Sequence, residues 1–218
     1  TFAAFDWGMS LTPEWFSGIY QVIFMIGQAI SAVAFIIAIM VLLASRVPAI
    51  NELLNAKRLQ DLGNFLMAFT MFWAYVHFSQ LIIIWSNNTV ETSPFYVVRL
   101  NGGWLGVGTF LLVFGFFAPF VILFSRWVKR KRGALVGVAV FSLLIRALDL
   151  FYILIPSFER PGSQLLLLDV LLLIGLGGVW LAVYFRSLGS RPLLPLHDPR
   201  LSAPEGHAPA HREAVTHV

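Results

Sequence analysis

The stretch that decides the fold reads Gly133-Ala-Leu-Val-Gly-Val-Ala-Val-Phe-Ser-Leu-Leu-Ile-Arg146-Ala-Leu-Asp149-Leu-Phe-Tyr152-Ile-Leu-Ile155. It is long enough to cross a bilayer as a helix, which takes about 20 mostly apolar residues. It also contains an arginine and an aspartate three residues apart. Each such charge costs about 2.5–3.5 kcal/mol at the centre of a membrane helix, so charges there usually face the protein interior and have a function. The stretch therefore predicts a transmembrane helix that carries a candidate site.

The composition extends this prediction to the whole chain. Apolar residues make up 58% of the sequence and charged residues 12%, and the mean hydropathy is +0.80. A soluble domain has about 25% charged residues, so the chain is predicted to be an all-α, polytopic membrane protein. It contains no cysteine, which excludes disulfides, cysteine-ligated iron–sulfur clusters and covalently attached haem c. The net charge of +4 does not indicate nucleic acid, because the basic residues lie in short loops.

Hydropathy predicts five transmembrane spans. Pro119 is expected to kink the third span, because it leaves the carbonyl of Gly115 without a helical partner. Glycines in the third and fifth spans are expected to allow close helix contact. Between the first two spans, apolar residues at near-helical spacing from Ile50 to Leu59 fit an interfacial helix or a plain connector equally well. The predicted spans are Phe16–Ala44, Gly63–Trp85, Trp104–Phe124, Gly133–Ile155 and Leu165–Phe185, and the glycines are Gly106, Gly108, Gly115, Gly175, Gly177 and Gly178.

The distribution of Lys and Arg predicts the topology. The two loops that join spans one to two and three to four, together with the C-terminal segment, contain twelve of them, whereas the opposite side has only Arg99 and Arg160. The positive-inside rule then places the N-terminal end outside and the C-terminus in the cytoplasm. Residues 187–218 contain five prolines and no apolar periodicity, and we expect them to form a disordered cytoplasmic tail.

Polar side chains that could carry chemistry fall in the outer half of the predicted spans, at depths given by a rise of about 1.5 Å per residue. They fit an outward-facing proton half-channel or the pocket of a quinone headgroup. A simpler interpretation is that Arg146 and Asp149 neutralise each other across one helical turn, or that Asp169 is the interhelical partner of Arg146. The residues are His77 with its neighbour Tyr75, Arg146, Asp149, Tyr152 and Asp169.

His77 is the only histidine in a predicted span. A b-type haem with two histidine ligands needs a second intramembrane histidine, so this chain is not expected to bind one by itself. A lone histidine in a helix bundle is most often a hydrogen-bonded interior residue. The sequence therefore predicts neither a metal nor a redox cofactor bound by this chain.

Three runs of sequence resemble one family. They are Phe5-Asp6-Trp7-Gly8-Met9-Ser10-Leu11-Thr12-Pro13-Glu14-Trp15-Phe16-Ser17, then Asp61-Leu62-Gly63-Asn64-Phe65-Leu66 followed by Phe69–Tyr75 and Phe78-Ser79-Gln80, and lastly Leu148-Asp149-Leu150-Phe151-Tyr152. They are similar to the ActF-type membrane subunit of alternative complex III, a bacterial quinol:cytochrome c oxidoreductase, within the polysulfide-reductase membrane-anchor (NrfD-like) superfamily. The resemblance covers nearly all of residues 1–186.

The resemblance implies a fold and a function. Such subunits consist of two four-helix bundles with flanking helices, so residues 16–186 would be the second bundle plus one flanking helix, and residues 1–15 the outer end of a preceding helix and its loop. The complex oxidises membrane quinol and passes electrons to subunits that carry haem c and iron–sulfur clusters. Its expected partners are a multihaem cytochrome c, an iron–sulfur protein, a homologous membrane subunit and membrane lipids, in the bacterial cytoplasmic membrane. The chain itself is not expected to be catalytic alone.

The motifs transfer three residues to the candidate site, namely Asp6, Asp149 and Tyr152. Two positions depart from the family: the loop Asn88-Thr89-Val90-Glu91-Thr92 has one acid fewer, and His77 stands where a small or apolar residue is expected. Three hypotheses remain open: a cofactor-free subunit that lines a proton route or a quinone site, a structural scaffold, and a secondary transporter, whose site would lie at the membrane midplane.

Overall fold

The computed structural model of the chain describes residues 2–101, 103–158 and 164–190, which form helices and no β-strand. Five helical segments are long and apolar enough to cross a membrane. The predicted fold class, an all-α membrane protein with five transmembrane helices, is confirmed. The segments are Tyr20–Ala44, Ala56–Asn87, Trp104–Phe124, Arg132–Ser157 and Leu167–Gly189. The predicted tail falls mostly on residues 191–218, which lie outside the described residues.

The first two spans differ from their predicted bounds at the connector between them. Helix α1 covers Phe2–Trp7 and is followed by a short 3-10 turn, α2 covers Tyr20–Ala44, α3 covers Pro48–Leu53, and α4 covers Ala56–Asn87. Asn55 caps α4 by accepting a hydrogen bond from the backbone N–H of Arg58. The residues from Ala56 to the predicted start of the second span at Gly63 therefore form the first turns of α4 instead of a connector. The predicted interfacial helix exists only as the short α3.

The third span is not a regular α-helix. After α5, Pro94–Leu100, it runs as α6, Trp104–Phe110, then a π-helical segment, Leu111–Phe117, and α7, Ala118–Phe124. The N–H of Ala118 donates to the carbonyl of Val113, one residue farther back than in an α-helix. Pro119, which has no N–H of its own, follows directly. The disturbance expected at Pro119 thus takes the form of a widened helical segment.

The remaining elements are a short helix α8, Arg126–Arg130, the fourth span α9, Arg132–Leu154, which ends in a 3-10 turn, and α10, Gln164–Gly189. Two compact units divide the chain, residues 1–159 and residues 160–218. Within the first unit α2 packs against α4 and α9, and the third span packs against α4 and α9. The four spans thus form a closed ring, whose most deeply buried apolar side chains include Ile37, Leu66, Leu123 and Leu135.

The two ends of this ring differ in charge. At one end, which we call the basic face, lie the α2–α4 connector and the turn around α8, with all eight Lys and Arg side chains of these two loops. At the opposite face, Trp15 stacks on Phe95 with a centroid distance of 4.2 Å and donates from its indole N–H to the carbonyl of Thr92. These aromatic contacts attach the segment before α2 to the loop between spans two and three.

Arg99 is the one basic side chain at the opposite face among residues 2–158, and it is internal, with an exposed fraction of 2%. Its guanidinium donates to the carbonyls of Phe95 and Tyr152, at 2.7 and 3.3 Å, and to that of Ile153. It also lies 3.5 Å from the centre of the Phe95 ring. Burial lowers the pKa of Arg99 to about 10, an effect that nearby tyrosines partly offset. Arg99 stays charged at neutral pH and ties α5 to the end of α9.

Replacing Arg99 with methionine is expected to destabilise this end of the bundle by about 1–3 kcal/mol, because the buried carbonyls at the end of α9 lose their donors. Arg99→Lys keeps the charge but not the forked geometry, so we expect an intermediate loss. Thermal unfolding of the three proteins in one detergent measures the order. Equal melting temperatures for wild type and Arg99→Met would show that Arg99 does not hold α5 on α9.

Candidate functional site

Asp149, near the end of α9, is buried within the four-helix ring, with an exposed fraction of 3%. One carboxylate oxygen, Oδ2, accepts two hydrogen bonds: from Nη1 of Arg146 at 3.1 Å, and from Nε1 of Trp73 on α4 at 3.2 Å. The guanidinium of Arg146 lies over the ring of Trp73, 4.0 Å from its centroid. The arginine, the indole and the carboxylate therefore form one closed set of contacts between α4 and α9.

Two glycines of the third span leave space for the side chains of Arg146 and Tyr152. A Cβ atom on Gly115, within the π-helical segment, would lie 3.1 Å from Nη2 of Arg146 and 3.2 Å from Ile145. A Cβ on Gly108 would lie 2.9 Å from the hydroxyl of Tyr152. These two glycines confirm the prediction of close helix contact. It is wrong for Gly106, whose added Cβ atom would meet nothing within 4 Å among the described residues. For Gly175, Gly177 and Gly178, which lie in the second unit, it stays a prediction.

The second oxygen of Asp149, Oδ1, faces His77. Nε2 of His77 lies 4.0 Å from it, which is too long for a direct hydrogen bond. Both atoms are buried, and neither has a hydrogen-bond partner in the described part of the chain. The ring of His77 also packs on Trp73 with a centroid distance of 4.3 Å. A single water molecule would bridge such a gap and satisfy both atoms.

Other buried polar atoms on α4 and α9 have no hydrogen-bond partner among the described residues. They include Nη2 of Arg146, the hydroxyl of Ser142 and both polar atoms of the Gln80 side chain. Gln80 has an exposed fraction of 1%. An unpartnered buried amide or guanidinium costs about 1–3 kcal/mol or more, so such a concentration is typical of a site that holds water or a ligand.

Asp149 lines two cavities on different sides of α9. One, of about 470 Å³, lies between α2 and α9 beside α1, and its polar lining consists of Gln28, Ser31, Arg146 and Asp149. The other, of about 390 Å³, lies between α4, the third span and α9. Its lining combines leucines with Trp73, His77, Tyr96, Asp149 and Tyr152. Burial raises the pKa of the Tyr96 hydroxyl above its usual range, so it remains a hydrogen-bond donor at neutral pH.

The structure brings four of the predicted site residues together: His77, Arg146, Asp149 and Tyr152. It does not bring Tyr75 to them, because Tyr75 points outward with an exposed fraction of 66% and stacks on Phe72. Asp6 is exposed in α1, where its backbone carbonyl accepts from Ser10. Asp169 lies in α10, in the second unit. The observed partner of Arg146 is Asp149 on its own helix, as the simpler interpretation predicts.

Sequence reasoning missed Trp73 as a member of the site, and it also missed the buried amide of Gln80 on the same helix. The signal was present in their spacing, since Trp73, His77 and Gln80 recur at intervals of four and three residues and so share one face of α4. The sequence alone does not show that this face of α4 lies against Asp149, because that depends on how α4 packs near α9. Among residues 2–101, 103–158 and 164–190, no three His, Asp or Glu side chains group closely enough to hold a metal ion.

Comparison with known proteins gives no further identification, since no protein-family model and no curated protein matches this chain. The fold and the site therefore define its class: a multi-pass, all-α membrane protein with a buried carboxylate and guanidinium and a partly buried imidazole between its helices.

Proposed function

We propose that this chain is an integral membrane subunit of a quinol-oxidising electron-transfer complex, and that it binds no redox cofactor itself. Its site would handle protons or form part of the quinol-binding wall, while partner subunits with haem c and iron–sulfur clusters take the electrons. The three sequence runs that resemble the ActF-type subunit of alternative complex III support this proposal, as does the set of side chains around Asp149.

The observation that carries the proposal is the asymmetry of the Asp149 carboxylate. Arg146 and Trp73 hold one oxygen, whereas the other has no hydrogen-bond partner among the described residues. The residue also lines two cavities. A carboxylate with a fixed orientation and one free oxygen is able to accept a proton without losing its place in the fold.

Quinol oxidation needs such an acceptor. The reaction QH₂ → Q + 2H⁺ + 2e⁻ releases two protons and two electrons, and the electrons pass to the haem and iron–sulfur subunits of the complex. In this proposal Asp149 takes one hydroxyl proton of the quinol, directly or through a water that bridges it to His77, and releases it to the outer side before it takes the second. The cavity beside His77 suits a quinol, because its leucines would pack on the ring and its polar groups would bind the hydroxyls.

The orientation follows from charge. The eight loop cations lie on one face, and Arg99 at the opposite face is internal. We place the basic face in the cytoplasm of a bacterium, by the positive-inside rule. Asp149, near the end of α9 that lies at the opposite face, then belongs to the outer half of the membrane, on the side to which a proton from quinol would be released.

The assignment is tested by affinity purification of the tagged chain from native membranes in a mild detergent, with haem staining and mass spectrometry of the co-purifying proteins. We expect a multihaem c-type cytochrome, an iron–sulfur protein and a second, similar membrane subunit in constant ratio to the chain. Recovery of the chain without redox partners would contradict the proposal. Substrate uptake by proteoliposomes that contain the chain alone would support a secondary transporter instead.

A scaffold function is the second candidate, because the same contacts that orient Asp149 also join α4 to α9. Under this alternative, conservative changes at Asp149 lower the yield of assembled complex and leave the turnover of each complex unchanged. The two functions are separated by measuring both quantities in one preparation.

A further inference from the structure

The turn between the third span and α9 concentrates five basic residues within seven positions: Arg126, Lys129, Arg130, Lys131 and Arg132. Two of them have structural partners. Nζ of Lys129 donates to Oδ1 of Asn64 at 2.7 Å, and its stem lies so close to Gly63 that a Cβ there would be 2.7 Å from Cγ of the lysine. Arg132 donates to Asn51 and to the carbonyl of Leu54. The contacts of Lys129 fix α8 against α4, and those of Arg132 fix the start of α9 against α3.

The other three cations, Arg126, Arg130 and Lys131, are exposed, and none has an ion-pair partner in the described part of the chain. Arg126 and Arg130 are four residues apart on α8, so their side chains share one face of it. Nζ of Lys131 lies over the ring of Trp127, 3.9 Å from its centroid. The turn therefore presents three positive charges, two on α8 and one directly after it, and other residues fix the position of the helix.

Two large aromatic side chains accompany these charges. Trp127 has an exposed fraction of 61% and Phe124, the last residue of the third span, of 72%. A membrane-spanning helix ends near the headgroup region, where tryptophan is enriched because its ring is apolar and its N–H is polar. We call Phe124, Arg126, Trp127, Arg130 and Lys131 the α8 patch. It joins an apolar surface that borders the bilayer to a cluster of cations at headgroup level.

We propose that the α8 patch binds the headgroup of an acidic phospholipid. The lipid phosphate accepts hydrogen bonds from Arg126, Arg130 and Lys131, and the glycerol and first acyl carbons lie along Trp127 and Phe124. An acidic phospholipid suits the patch better than an acidic peptide, because the aromatic side chains adjoin the acyl region that a soluble partner does not reach. This inference is independent of the proposed function.

The proposal is tested by adding phosphatidylglycerol or phosphatidylcholine to the full-length protein, in its complex if it forms one, in a neutral detergent. Native mass spectrometry counts bound lipids, and thermal unfolding measures stabilisation. The test variant is Arg130→Gln/Lys131→Gln. Its matched control, Arg46→Gln/Lys57→Gln, removes two exposed cations from the same basic face. Sodium phosphate serves as a probe for a site that takes a free anion.

We expect phosphatidylglycerol, but not phosphatidylcholine or phosphate, to remain bound and to raise the melting temperature. The test variant should bind phosphatidylglycerol roughly 30-fold more weakly, since each cation near a membrane surface contributes on the order of 1 kcal/mol. The control variant should bind within about twofold of wild type, because its cations lie outside the patch. Equal losses in both double variants would contradict a specific site, as would equal stabilisation by phosphate or no retained phosphatidylglycerol.

Discussion

Replacing Asp149 with asparagine is expected to lower the quinol-driven turnover of the assembled complex about 100-fold or more, since a positioned proton acceptor contributes about 10²–10⁴-fold to a rate. Asparagine has nearly the same shape, and its carbonyl oxygen still accepts from Trp73 and Arg146. It does not take up a proton at neutral pH. The measurement is the stopped-flow rate of c-type haem reduction by quinol, divided by the haem content of the preparation.

The matched control is Asp61→Asn, the same chemical change at an exposed position on α4 near the basic face. We expect this variant to retain full turnover. Turnover of Asp149→Asn within twofold of wild type would exclude Asp149 as the proton acceptor. A lower yield of complex with unchanged turnover per haem would instead establish the scaffold function.

Replacing Arg146 with methionine is expected to destabilise the four-helix ring by about 3–5 kcal/mol, because it leaves the carboxylate of Asp149 buried without its counter-charge. The loss also includes the contact of the guanidinium with the Trp73 ring. Methionine fills most of the space of the arginine stem, so a cavity contributes little to the effect. Thermal or SDS-induced unfolding of the purified protein measures the change.

The double variant Arg146→Met/Asp149→Leu separates charge from packing. Replacement of a whole buried ion pair by apolar residues of similar volume is often neutral or stabilising, so we expect it to recover most of the stability lost by Arg146→Met. We expect it to have no activity, which would show that the pair is retained for function. Arg46→Met, at an exposed site, should change stability by less than about 0.5 kcal/mol. A double variant as unstable as the single one would contradict this account.

The sequence predicted the membrane class and the number of spans well, because long apolar helices satisfy their own backbone hydrogen bonds and need little tertiary information. It also singled out Arg146 and Asp149, which are buried and paired in the structure, since charges within an apolar segment are costly wherever the segment lies. It was less reliable at the connector, where α4 extends back to Ala56. There polar residues fit a helix, an interfacial segment or a loop equally well.

The candidate site was only half predictable. His77 and Tyr75 lie two residues apart on α4 and were equally good candidates, yet one faces Asp149 and the other is exposed. In a soluble helix the buried face is apolar and the exposed face is polar, so the sequence identifies the buried face. A membrane helix is apolar on both faces, and this difference is lost. Trp73 was hidden for the same reason, because an aromatic residue is ordinary in a membrane span, and its hydrogen bond to Asp149 becomes visible only when α4 and α9 are placed.

The sequence by itself determined that this protein is a helical membrane protein with a costly buried charge in its fourth span. Both properties follow from quantities that are added residue by residue along the chain, namely hydropathy and the free-energy cost of burying an ion. Only the tertiary structure decided that Arg146 and Trp73 hold one oxygen of Asp149, and that the other oxygen faces His77. These contacts depend on how each helix is rotated about its own axis, and hydropathy does not encode that rotation. Close packing, such as that of α9 against Gly108 and Gly115 of the third span, fixes it.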